Sequence, residues 1–212
     1  MKDFSISMAL VDYIPVVLFA VAAILLQRDL YNKMSKSAFA LFASGTIFVT
    51  CAGALKATYK LLYAANICDF QSLNALFFPV QSIGFLLAGI GVIVTIIQKK
   101  SAATLAVAPP VFSGTFVFVA LMVAGLGLMD VGLCLIAFKM KKQHLPTIIA
   151  FAVSFVCSLC MGYLSSQNFE QAAMNWIAEG VNVVGQGLFF LGAYLMHKNG
   201  LAEFQIKNGE KL

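Results

Sequence analysis

Glu179, Asn182 and Gln186 fall at i, i+3 and i+7 of one apolar stretch. A helix there sets a carboxylate and two amides on a single face. Inside a membrane such a face forms one wall of a polar cavity, or a hydrogen-bonded seam between helices. An earlier stretch carries Lys56, Tyr59, Lys60 and Tyr63 at i, i+3, i+4 and i+7, again one face. Two ammonium groups beside two phenols suit an anionic or aromatic ligand through charge and cation–π contact. The competing reading is interfacial, since lysines near span ends snorkel to headgroups and tyrosines form aromatic belts. Asp130, in GLGLMDVGLCL, has no charge near it in its own segment. At that depth it needs a proton or a cation such as Lys56 as its partner. The candidate solute-binding set is therefore Lys56, Tyr59, Asp130, Glu179, Asn182 and Gln186. The three residues of the last stretch hydrogen-bond the solute, Lys56 and Tyr59 hold its anionic or aromatic part, and Asp130 sets the charge balance.

These side chains have to be carried by membrane-spanning helices. The chain has 212 residues, of which 61% are hydrophobic and 11% charged. About 20 apolar residues cross a hydrocarbon core of roughly 30 Å as a helix. Six runs qualify, at 8–26, 38–62, 75–97, 111–138, 146–164 and 174–196. The fold class expected is an all-α, polytopic transmembrane bundle of six spans. Ala20-Val21-Ala22 has the look of a signal-peptide cleavage site, but Asp3 offsets Lys2 and the apolar run continues to Leu26. The first run is read as a retained span.

Two segments look alike. Ser82-Ile-Gly84-Phe-Leu-Leu-Ala-Gly89 lies over Gly185-Gln-Gly187-Leu-Phe-Phe-Leu-Gly192, and basic pairs follow both, Lys99-Lys100 and His197-Lys198. Read as a duplication, residues 1–100 form one three-span unit and 101–212 a second, together one membrane domain. With three spans each, the second unit is inverted relative to the first, as in many small-solute carriers. Gly84 and Ala88 are four apart and suit close helix packing. Gly185 and Gly187 also suit packing, or alternatively a bend. Pro79 falls one turn into its span, where it is tolerated or marks a broken helix. Asp12 and Pro15 read as helix-start residues.

The net charge of +5 comes from lysines at span ends, which face lipid headgroups and give no basic patch for nucleic acid. Summed by side over six spans, they favour both termini in the cytoplasm of an inner or plasma membrane. Catalytic signatures are absent: no HExxH, GxSxG, phosphate-binding glycine loop or Ser/His/Asp grouping occurs. Cys157-x-x-Cys160 sits in FVCSLCMGY without a second pair or a nearby His, so it reads as helix packing and no metal or cofactor is expected. The functional expectation is binding and movement of a small polar or amphipathic solute at a midplane site between the two units. Two alternatives stay open: a sensor that signals through a partner subunit, and a lipid-active enzyme. Assembly with copies of itself is open as well.

Overall fold

The computed structural model describes residues 5–97, 115–142, 144–164 and 172–205, and these are helical apart from short turns. Helix is the conformation expected of long apolar runs, because in hydrocarbon every backbone N–H and C=O must find a partner within its own segment. The elements are α1 (Ile6–Val11), α2 (Tyr13–Leu30), α3 (Lys36–Ala64), α4 (Gln71–Ala75), α5 (Phe77–Ile97), α6 (Thr115–Met140), α7 (His144–Leu164) and α8 (Ala172–Lys198). Asp12 joins α1 to α2, and Leu76 joins α4 to α5, so each pair acts as one rod.

Local chemistry sets the ends of these rods. Ser5 and Ser35 cap α1 and α3, accepting from the backbone N–H of Met8 and Ala38. Asn66 and Gly200 take left-handed backbone (φ 55° and 85°) just after α3 and α8. The next N–H then reaches back into the last turn, from Ile67 to Leu62 O and from Leu201 to Met196 O, both at 3.0 Å.

Five rods are long and apolar enough to cross a membrane: Ile6–Leu30, Lys36–Ala64, Gln71–Ile97, Val117–Met140 and His144–Leu164. The sixth expected span, 174–196, lies within α8. That helix has the length, at 27 residues, but Glu179, Asn182 and Gln186 make it less apolar than the other five.

Small residues bring the rods together. Gly45 of α3 lies against Gly84 and Ala88 of α5, and Gly91 of α5 against Ala38 and Phe42 of α3. On its other side α5 meets α6 with Gly89 on Gly125 and Met129, and Gly132 against Val92. A Cβ on Gly125 would land on the backbone of Phe85 and Leu86, so this crossing needs glycine. Gly185 and Gly192 face Cys157 and Phe151 of α7, whereas nothing lies within 4 Å of a Cβ built on Gly187.

Those contacts fix the direction of each helix. α3 runs against α5, but α5 and α6 run parallel, since residues 85, 89 and 92 climb beside 125, 129 and 132. α2 and α8 are also parallel. Asp12 and Glu179 meet at one end of the bundle, and Asp29 and His197 at the other. Thus α2, α5, α6 and α8 run one way, and α3 and α7 the other. Two expectations are corrected here. An inverted second unit would run α6 opposite to α2, yet the two sets of three helices have the same direction. Termini on one side would need α2 to start where α8 ends, and these ends are opposite. The matched glycines also have different surroundings: Gly89 faces α6 of the other half, and Gly192 faces α7 of its own.

Candidate functional site

The buried charges gather at the Asp12 end. Lys60, near the end of α3, puts its Nζ 2.6 Å from Asp12 Oδ2 and 2.6 Å from Glu179 Oε1. All three side chains are buried. One ammonium thus holds two carboxylates, tying the start of α2 and the start of α8 to the end of α3. Burial of this kind requires close pairing, because an isolated ion would forfeit its hydration without return.

One turn earlier on α3, Lys56 has different company. No carboxylate lies within ion-pair distance of it among the described residues, and its Nζ sits 4.1 Å above the centroid of the Phe77 ring. Cation–π contact of this sort steadies an ammonium without neutralising it.

Lys56 and the two carboxylates that hold Lys60 line a cavity of about 130 Å³ in the Asp12-end half of the bundle. Its polar lining comes from Asp12, Thr50, Lys56, Gln81, Ser158, Glu179, Asn182 and Gln186. Phe19, Phe77, Phe78, Phe85, Met122 and Met161 are among its apolar lining. Two amide oxygens that face it, Gln81 Oε1 and Gln186 Oε1, are buried and have no hydrogen-bond partner. The cavity is closed below by aromatic rings. Phe19 stacks on Phe189 at 5.4 Å and meets Phe85 edge-on at 5.8 Å, while Phe151 closes on Phe189 at 5.5 Å. Beyond these rings the bundle is filled by Leu26, Leu30, Met129, Leu133, Ile136 and Met196, all buried. At the far end Asp29, itself buried, meets His197 Nδ1 at 2.8 Å, and Lys33 donates to the carbonyl of Ala202.

Four of the six candidate residues come together on this cavity: Lys56 from α3, and Glu179, Asn182 and Gln186 from α8. Tyr59 does not reach it. Its hydroxyl donates instead to Asp69 Oδ1 at 3.3 Å, in the turn after α3. Asp130 lies elsewhere, in a crevice between α6 and α7, and is not paired with Lys56. Sequence reasoning left Asp12, Lys60, Thr50 and Phe77 outside the candidate set. For Lys60 a signal was available, since a lysine this deep in a span requires a counter-ion and Asp12 and Glu179 are among the few carboxylates at span level.

The helices and their polar interior define a multipass helical membrane protein. No family model, curated protein or solved structure matches the chain.

Proposed function

We propose that the chain binds a small amphipathic solute, with an anionic group and an aromatic or apolar body, and carries it across an inner or plasma membrane. The observation that supports this reading is Lys56, which faces a cavity with no carboxylate partner while Lys60, one turn away, has two. Asp12 and Glu179 offset Lys60 and Lys56 in formal charge, so the cavity lining is near neutral and one anion adds only a single charge. The solute's anionic group would sit at Lys56. Its hydrogen-bond donors would meet Gln81 and Gln186, and its ring would lie among the phenylalanines.

The cavity takes its lining from helices of both 1–100 and 101–212, which suits a carrier whose halves move about a ligand held between them. Access is from the Asp12 end, with the Phe19–Phe85–Phe189 cluster and the Asp29–His197 contact closing the other. Helix direction also sharpens the orientation. Arg28, Lys33, Lys36, Lys139, Lys141, Lys142 and Lys198 all fall at the His197 end, and the lysines described at the Asp12 end are Lys56 and Lys60 alone. This asymmetry supports a cytoplasmic position for the His197 end. On this reading the cavity opens outward.

The test is binding and uptake of benzoate, with benzamide as its neutral counterpart. Purified protein should bind benzoate saturably, lose that binding in Lys56→Gln, and move benzoate into proteoliposomes. Binding without flux would favour the sensor reading. Equal binding of benzoate and benzamide, unaffected by Lys56→Gln, would remove the anion site altogether.

A further inference from the structure

Asp130 belongs to a part of the molecule that the solute cavity does not reach. Its side chain is buried, 3% exposed, and neither carboxylate oxygen has a hydrogen-bond partner. It lines a crevice of about 480 Å³ between α6 and α7, together with Val131, Cys134, Phe138, Ala152 and Phe155. Among the described residues no Lys, Arg or His lines this crevice. Val131, Phe138 and Val156 are each more than half exposed, so it opens on the outer, lipid-facing surface of the bundle.

A buried carboxyl group without a partner is costly in any apolar setting, and more so where the surrounding solvent is hydrocarbon. A headgroup cannot supply the missing partner. Asp130 precedes the last residue of α6, Met140, by ten positions, roughly 15 Å along the helix axis. A proton removes the charge but leaves both oxygens without a hydrogen-bond partner, and a partner for the ionised form is one that itself enters the hydrocarbon. The lining covers 127–138 of α6 and 148–156 of α7, a hollow about three turns long. Asp130 in its wall supplies a polar anchor for a ligand. The volume falls within the range of about 300–1,000 Å³ typical of small-molecule pockets.

We propose that this crevice is a second ligand site, which takes a lipophilic cation sideways from the bilayer. The ammonium or phosphonium centre lies against the Asp130 carboxylate, and the apolar body lies against Phe138, Phe155 and the exposed face of α7. The faces of the two rings add cation–π attraction to the ion pair.

The experiment titrates tetraphenylphosphonium into the full chain in mild detergent, with triphenylphosphine oxide as an uncharged counterpart of similar shape. Tetraphenylphosphonium should bind one-to-one and at least tenfold more tightly than the oxide. Asp130→Asn should weaken its binding at least tenfold, and Asp130→Glu should retain it. Ala152 is exposed at the mouth of the crevice, so Ala152→Phe fills the site without touching the core and should also abolish binding. Glu179→Gln, in the other cavity, should have no effect on this titration. Absence of saturable binding to the unmodified chain, or equal binding to Asp130→Asn, overturns the proposal. So does a native mass spectrum in which Asp130→Asn releases a protein subunit, which would make the crevice a helix-docking seam.

Discussion

The Asp29 carboxylate lies 2.8 Å from the His197 ring, which puts the C-terminal ends of α2 and α8 at the same end of the bundle. The first and last long helices therefore run in one direction, and the start of α2 and the end of α8 lie at opposite ends of the bundle. On the proposed orientation, with the basic end cytoplasmic, Lys141 and Gly200 should be cytoplasmic and Asn66 should lie outside. Single cysteines at these positions, in a chain whose own five cysteines are replaced, will test this with a membrane-impermeant maleimide on intact cells. Labelling at 66 and none at 141 or 200 is the expected pattern. Labelling of the 200 variant together with the 66 variant would contradict the parallel arrangement of α2 and α8.

Lys60 offers a second test. Replacing it with methionine leaves Asp12 and Glu179 buried beside one another without their cation. Loss of one partner from a buried ion pair costs about 3–5 kcal/mol. Lys60→Met should therefore lower the thermal midpoint in detergent markedly. Adding Asp12→Asn and Glu179→Gln to that variant should recover part of the loss, because the two carboxylates no longer face each other without their cation, although Lys56 then loses the charges that offset it. A triple variant as unstable as Lys60→Met alone would show that the three groups are not energetically linked.

The α5–α6 crossing depends on Gly125, whose missing side chain leaves room for the Phe85–Leu86 backbone. Gly125→Val should cost roughly 1–3 kcal/mol through overpacking. Gly187→Val, in open space, should be nearly neutral. Comparable losses of folded protein from both variants, measured by fluorescence-detected size exclusion after heating, would mean the two helices do not meet at Gly125.

Much of this molecule can be read from its residues, and the exceptions share one physical cause. Apolar length alone marked the helices, because hydrocarbon leaves the backbone few options. The i, i+3, i+7 spacing put Glu179, Asn182 and Gln186 on one face, and all three line the cavity. The direction of α6 was not legible. It is set by Gly89, Gly125 and Gly132 meeting across helices, contacts that hydropathy does not register. Counting charges on the assumption that successive runs alternate in direction then scattered the lysines over two sides, whereas α5 and α6 run parallel. Tyr59 shares a helix stripe with Lys56, but Asp69, in the turn that follows, captures its hydroxyl. Asp12 looks like a helix-start residue until α3 and α8 bring Lys60 and Glu179 beside it.

Lys56 carries the central claim, and native mass spectrometry of the protein purified in mild detergent tests it most directly. The account predicts a co-purified water-soluble carboxylate of small mass, present on the unmodified chain and absent from Lys56→Gln, with the fold of both confirmed by circular dichroism. Lipid adducts alone, identical in the two proteins, would contradict the account.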